Sequence, residues 1–416
     1  MKLWMMVIAS YIVTLVLYML AKTQVPAYDY TQVVVQMTGL LGIVSLGWSF
    51  VLSLRHRILE KWFGGLDLVY RIHHIVGGMS LILLLQHPLF LIIGELPLNR
   101  VVFYLVPGLR LDYTLGQLAL YFMIFLLALT FYVPLPYRYW KWSHEWMGIV
   151  MILGALHSFL VSSDTTTNPL IMIWIAAWSV IAILSYIYKR FVYYLWQNKA
   201  TYVVERIEQM PQMYMMRLRA EGSAIDFEPG EFGFFSFSAR RRDDHAFSIW
   251  ESSGNTLTIG VKILANFTRE LSKLSPGFTL EVRGPFGTFA QKIELAQHAV
   301  FVAGGIGITP FNSMLKIIKP TQRVEMFFCA RVMPPNILTD PFVAKANSSE
   351  NFKFAACETS KMKRLSAQDI YEQSGKDLKA YYFLCGPKEM MVSIATELVK
   401  IGVRRSRVIY EDFGFK

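Results

Sequence analysis

The sequence predicts a multi-domain chain: a six-helix membrane bundle over 1–195, a strand-rich antiparallel domain over 200–296, and an α/β domain with a parallel sheet over 297–416. Three observations predict it. Apolar stretches crowd the first half, charge is scarce there, and the hydrophobic period changes twice after residue 195. Hydrophobic residues make up 54% of the 416 and charged residues 17%, against about 45–50% and about 25% in ordinary soluble domains. Before residue 200 stand 13 basic and 7 acidic residues, and after it 28 and 23, so the charge poverty belongs to the first half. The net charge of +11 includes no run of five basic residues, which favours contact with anionic membrane lipid and argues against nucleic acid.

Lys2 precedes an apolar run, Leu3 to Leu20, with no small-x-small cleavage site at Ala21-Lys22-Thr23. That is the pattern of a retained anchor, not a signal peptide. Further apolar stretches cover 33–54, 69–93, 115–133, 144–161 and 170–188, each long enough or nearly so for a hydrocarbon core of about 30 Å. With the N-terminus inside, Arg55, Arg57, Lys61, Arg71, Arg138, Lys141, Lys189, Arg190 and Lys199 share one side, and Lys22, Arg100 and Arg110 the other. The positive-inside rule then predicts a multi-pass protein of the cell membrane with both termini cytosolic. Tyr and Trp at 137–142 and 193–196 are expected interfacial anchors. The three cysteines, Cys329, Cys357 and Cys385, form no C-x-x-C, so neither a disulfide framework nor a zinc site is offered.

Short strands and turns follow from Thr201, with breaks expected at Glu228-Pro229-Gly230, Ser253-Gly254-Asn255, Pro276-Gly277 and Gly284-Pro285. They predict an antiparallel barrel or sandwich to about 296. Apolar strands at 299–303, 324–329, 352–356 and 380–385 then alternate with helical stretches, notably 387–401, as a parallel sheet requires.

Histidines inside apolar spans demand a reason. His73 or His74 lies one helix-length from His87, and His144 from His157. A step of 13 or 14 residues sets two rings about 20 Å apart. Because the two spans run in the same direction, His73 pairs in depth with His144 and His87 with His157. Two stacked haems with paired imidazole ligands need that arrangement; isolated interhelical hydrogen bonds are the plainer alternative. His74 competes with His73. Fourteen residues return to nearly the same face, whereas thirteen fall about 140° short of four turns. On a straight helix His144 and His157 therefore would not share a face.

In the second half, His245-Ala246-Phe247-Ser248 follows Glu228–Phe232 and puts an aromatic and a hydroxyl where a flat ring could be met; an ordinary strand with a core Phe fits as well. Thr268 opens a helical stretch whose first turn suits a pyrophosphate. Gly304-Gly305-Ile306-Gly307-Ile308-Thr309-Pro310 follows an apolar strand and opens a helix, and Cys385-Gly386-Pro387 repeats the arrangement after a later strand. Glycines let a phosphate approach the backbone at the carboxyl ends of parallel strands, although each turn alone could be a tight connection. Arg331 could meet an adenosine 2′-phosphate or be a surface charge.

Together these residues resemble the ferric reductase and NADPH oxidase superfamily, most closely its prokaryotic NADPH oxidases. The resemblance covers nearly the whole chain. It implies a six-helix, two-haem domain fused to a ferredoxin-reductase-like FAD and NAD(P)H module. It further implies that His245 lies by FAD, Phe247 packs on it and Ser248 contacts the isoalloxazine, with Ala246 departing from the usual proline. Pro229-Gly230, Thr268, the Gly304–Pro310 turn and Cys385-Gly386-Pro387 match family elements. Phe413 in the terminal Glu411-Asp412-Phe413-Gly414-Phe415 is the aromatic expected to cover the flavin, with Phe415 second. The fourteen- and thirteen-residue haem steps support His73 over His74. No calcium-binding loop is present. The implied cofactors are FAD, two haem b groups and NADPH, with NADH possible. The implied reaction carries electrons to dioxygen, giving superoxide, or alternatively to a ferric chelate or quinone; Arg100 and Arg110 allow either.

Overall fold

The computed structural model describes residues 2–22, 30–95, 101–161, 168–196, 198–210, 213–237, 244–263, 266–271, 273–334 and 336–411. Two compact units divide the chain, Met1–Trp196 and Gln197–Lys416.

The first unit is helical: α1 (Lys2–Lys22), α2 (Tyr30–Leu52), α3 (Arg57–Phe63), α4 (Leu66–Gly94), α5 (Val101–Leu105), α6 (Leu111–Phe131), α7 (Tyr137–Glu145), α8 (Met147–Leu160) and α9 (Pro169–Ile187). Among the described residues, five helices are long and apolar enough to cross a membrane. The sixth expected span, 144–161, is met differently. Its apolar part is the 14-residue α8, and the aromatic and cationic α7 precedes it with Trp146 between them.

Indole and hydroxyl groups tie the bundle together. Trp48 Nε1 donates to Ser10 Oγ at 2.8 Å and Trp174 Nε1 to Thr14 Oγ1 at 2.9 Å. Such bonds stand in for the hydrophobic drive that lipid removes. Helices α2 and α4 meet along a seam that repeats every seven residues: Ser49 with His73, Gly42 with Ser80, and Val35 with His87. Seven is the spacing at which two helices keep the same faces together. Gly42 is needed there, since a Cβ would stand 2.7 Å from Leu84.

The second unit holds a closed antiparallel barrel of order β1-β2-β5-β4-β3-β6 and a five-stranded sheet of order β11-β10-β7-β8-β9. The barrel strands are Lys199–Met210, Met213–Ala220, Phe232–Ser236, Asp244–Ser253, Thr256–Lys262 and Thr279–Phe286 for β1 to β6. The sheet strands are His298–Gly304, Arg323–Ala330, Phe352–Glu358, Tyr381–Cys385 and Val408–Tyr410 for β7 to β11. All four sheet pairings are parallel. Strand β7 is buried throughout, as a strand covered on both faces must be. Of the two forms the sequence left open, barrel and sandwich, the barrel is the one formed, and the break expected at Gly284-Pro285 lies instead inside β6, which pairs with β3 on both sides of it. Met210, Met213, Met215 and Trp250 of the barrel share a core with Phe289, Phe301 and Phe311 beside the sheet, and Asn312 Nδ2 donates to Trp250 O at 2.9 Å.

At the amino edge of the sheet, His298 bridges two carboxylates. Its Nε2 lies 2.5 Å from Glu325 Oε2 and its Nδ1 3.0 Å from Asp377 Oδ2. Burial alone would lower its pKa, but the two hydrogen bonds and the Glu325 charge prevail and raise it, while both carboxylates are lowered. The imidazolium therefore stabilises the fold fully below the unfolded-state value of about 6.5, and the contribution is lost as pH rises through the elevated native value. The carboxylates act oppositely, losing their share only when pH falls through their depressed values. The thermal midpoint of the detergent-solubilised protein should fall as pH rises from 6 to 9, and His298→Gln should flatten that slope; an unchanged slope would show that the clamp is not charged.

Candidate functional site

The paired histidines of the first unit are brought together by depth. The ring centroids of His73 and His144 lie 6.3 Å apart, and those of His87 and His157 6.2 Å apart. His74, exposed, lies 5.7 Å from His73 on the same helix. His73 and His87 sit on one unbroken helix. His144 and His157 sit on either side of Trp146, where Trp146 N–H bonds to Ser143 O and Ile149 N–H to Trp146 O. These tight turns advance about 120° per residue instead of about 100°. The overwinding turns His157 toward the face of His144, which a straight helix would not do.

Main-chain carbonyls orient three of the four rings. His73 Nδ1 donates to Ser49 O at 2.8 Å, His87 Nδ1 to Val35 O at 2.8 Å, and His157 Nδ1 to Asp112 O at 2.6 Å. A proton held on Nδ1 leaves Nε2 as the free lone pair, the usual state of a metal-binding imidazole. Glycines make room for two rings: a Cβ on Gly39 would stand 2.9 Å from His87 Nδ1, and one on Gly116 3.0 Å from the His157 ring. A cavity of about 660 Å³ lies beside His87 and His157.

These residues fit haem. Two metal–nitrogen bonds of about 2 Å plus half of each ring bring imidazoles on one ion to about 6 Å between centroids. Among the described residues no group of three or more His, Cys, Asp or Glu is gathered.

In the second unit, His245, Phe247 and Ser248 lie on β4 opposite Phe235, Gly233 and Phe232. The run 245–248 is half-exposed between buried Asp244 and Ile249, so this stretch of barrel surface is open to a ligand. Phe247 packs edge-on against Phe235 at 5.6 Å. Gly230, at φ +81, donates its N–H to Ser313 Oγ at 2.9 Å. Thr268 is the third residue of the helix Asn266–Leu271, and its carbonyl accepts from Tyr214 Oη at 3.0 Å.

The two glycine turns meet backbone to backbone at the carboxyl ends of the neighbouring strands β7 and β10, where Ala303 faces Cys385. A Cβ on Gly307 would stand 2.2 Å from Cys385 O, and one on Gly386 3.0 Å from Gly304 Cα. Gly305, at φ +56, faces open space, giving a bare backbone floor that a phosphate can approach. Thr309 Oγ1 donates to Ile306 O at 2.6 Å, and Pro310 stands in the first turn of the helix Thr309–Met314. Pro387 closes the second turn against Gly304. Burial, with Glu411 adding to it, pushes the Cys385 thiol up to about 12, so it contributes shape and not a thiolate. Arg331 is exposed just beyond the end of β8, beside the strand that carries Gly304. Phe413, Phe415 and Arg100 lie outside the described residues. Sequence reasoning missed Ser49, Val35 and Asp112, because a carbonyl carries no side-chain signal; glycines inside apolar spans were the available clue to Gly39 and Gly116.

The first unit thus holds membrane-length apolar helices, and the second a closed antiparallel barrel and a parallel sheet with glycine turns at its carboxyl ends. Residues 38–155 match the ferric reductase like transmembrane component, and residues 301–396 the oxidoreductase NAD-binding domain. Each unit thus carries one of the two matches. It is similar to a component of the Na(+)-translocating NADH-quinone reductase from Idiomarina loihiensis, 25% identical over 52% of this chain and 65% of that one. It thus spans less than two thirds of that relative. A probable electron transfer subunit of dihydroorotate dehydrogenase B from Methanopyrus kandleri is 29% identical over 46% of this chain and 71% of its own. The flavohemoglobin of Malassezia yamatoensis shares the fold at a TM-score of 0.52 and 15% identity, over 93% of this chain and 99% of that one.

A side chain at Gly307 would force β7 and β10 apart, and overpacking of this kind costs about 1–3 kcal/mol. Gly307→Ala should lower kcat/KM for NAD(P)H in dye reduction by about tenfold or more, while Gly78→Ala, which meets no neighbour, should leave it unchanged. Equal activity in both would remove the glycine contact from the binding site.

Proposed function

We propose that the chain is a transmembrane NADPH oxidase that carries electrons from cytosolic NADPH through FAD and two b-type haems to dioxygen on the outer face, producing superoxide. The observation that carries this reading is the two imidazole pairs, at 6.3 and 6.2 Å, on helices of the first unit. A nicotinamide gives up its electrons as a hydride pair and a haem iron takes them singly, so a flavin is needed between the two. His73 and His144 hold the inner haem, and His87 and His157 the outer one. His245, Phe247 and Ser248 line the flavin, with Thr268 near its pyrophosphate and Phe413 assigned by resemblance to cover it. Gly304, Gly305, Gly307, Thr309, Pro310, Cys385, Gly386 and Pro387 form the dinucleotide cradle, and Arg331 meets the 2′-phosphate of NADPH. The Lys and Arg distribution supports cytosolic termini.

For the acceptor, Arg110 favours a small neutral molecule. It is bound by Asp112 through two hydrogen bonds, at 3.1 and 2.6 Å, and lies 4.4 Å from the Tyr113 ring. A cation engaged in this way is a poor receptor for an anionic chelate. The ferric-reductase match favours ferric-chelate reduction as the second reading.

Purified protein with NADPH and FAD should reduce a superoxide probe in a manner abolished by superoxide dismutase, faster than it reduces a ferric chelate without oxygen. The reverse order would make it a ferric reductase. Two low-spin b-type haems are expected per chain. His157→Ala should keep one of them, and retention of both by that variant and by His144→Ala would refute the ligand assignment.

A further inference from the structure

The four histidines are not held alike. His73, His87 and His157 each give Nδ1–H to a main-chain carbonyl, whereas Nδ1 of His144 is buried with no hydrogen-bond partner among the described residues. What holds His144 is a ring. Its imidazole lies on the Trp140 indole with centroids 5.6 Å apart and planes 12° apart, and Trp140 in turn lies on Tyr137 at 5.5 Å and 29°. Residues 137, 140 and 144 fall on one face of α7, so the three rings form a column along it.

A stack and a hydrogen bond constrain an imidazole differently. A bond from Nδ1 to a carbonyl selects one of the two ring flips and so fixes Nε2 toward the facing histidine. A stack fixes the plane and is indifferent to the flip, because turning the ring by 180° exchanges nitrogen for carbon within the same plane. His144 also stands one residue from the end of α7 and next to the overwound turn at Trp146, where fewer helical bonds hold the backbone.

Resting on the haem reading above, we propose that Trp140 is the positioning residue for His144, and that the inner pair is the one whose ligation opens to an added diatomic ligand. Its counterpart, the outer pair, has carbonyl bonds on both imidazoles and stays closed. Loss of an outer-shell partner typically weakens metal retention by ten- to a hundredfold, and the stack is that partner here.

The test uses the full-length protein in detergent, with electron paramagnetic resonance of the oxidised form and carbon monoxide titration of the reduced form. Wild type should show two low-spin haems and bind carbon monoxide at one haem per chain. Trp140→Leu should convert one haem to high spin or weaken its retention ten- to a hundredfold. Trp140→Phe, which keeps a stacking ring, should restore the low-spin signal. Trp142→Leu, on the exposed side of α7, should match wild type. The affected haem should be the one that His157→Ala retains. The proposal is overturned if Trp140→Leu keeps both low-spin signals and the same carbon monoxide stoichiometry, if Trp140→Phe fails as Trp140→Leu does, or if Trp142→Leu is equally damaging. It is also overturned if the haem lost is the outer one. Wild type without haem would sink the haem reading itself, a distinct result seen before any variant is made.

Discussion

In hydrocarbon, a buried imidazole N–H has to be satisfied by the chain, and leaving it unsatisfied costs about 1–3 kcal/mol. The α2–α4 seam meets this demand twice with one geometric device. Ser49 and Val35 stand as far apart on α2 as His73 and His87 do on α4, and the helices run antiparallel, so a single register serves both bonds. Each carbonyl has a second lone pair for this purpose; Ser49 O also accepts its helical bond from Ser53 N–H at 3.1 Å. A shift of one residue along the seam would break both bonds together and set the Gly42 and Gly39 gaps against the wrong side chains. The depth, protonated nitrogen and orientation of two of the four imidazoles therefore follow from one packing choice.

The second unit solves a different problem, close approach of two main chains around an open floor. Gly307 and Gly386 are small because β7 and β10 run side by side and their turns touch. Gly305 is a glycine for another reason, its left-handed backbone. The shared Met, Trp and Phe core beneath keeps this cradle fixed against the barrel. The hydrogen bond from Gly230 to Ser313 ties the loop before β3 to the helix that leaves the cradle. The barrel and the parallel sheet are thereby tied together within the second unit.

The sequence was legible where a physical requirement leaves a mark on residue type. Parallel strands buried on both faces read as apolar runs, and β7, β8, β9 and β10 fall within two residues of their expected bounds. Adjacency of the two glycine turns was readable because both end strands of a parallel sheet. The split of the fifth membrane stretch was not readable: α7 and α8 differ from one helix only in the tightness of a turn, which no residue type dictates. Nor was the choice between barrel and sandwich, since both use the same alternation and differ only in closure.

The thirteen-residue step from His144 to His157 looks like a mismatch when measured on an ideal helix and becomes consistent once the turn at Trp146 is counted. Overwinding repairs the azimuth, and it has a second consequence. Residue 144 stands just before that tight turn, and the partner facing His144 across the bundle is the imidazole of His73, not a carbonyl. The local break that lets one chain segment carry imidazoles at two depths thus leaves His144 without a main-chain carbonyl among the described residues, and the ring four residues earlier, Trp140, is what lies against it. The asymmetry between the two pairs is in this sense a product of the spacing itself.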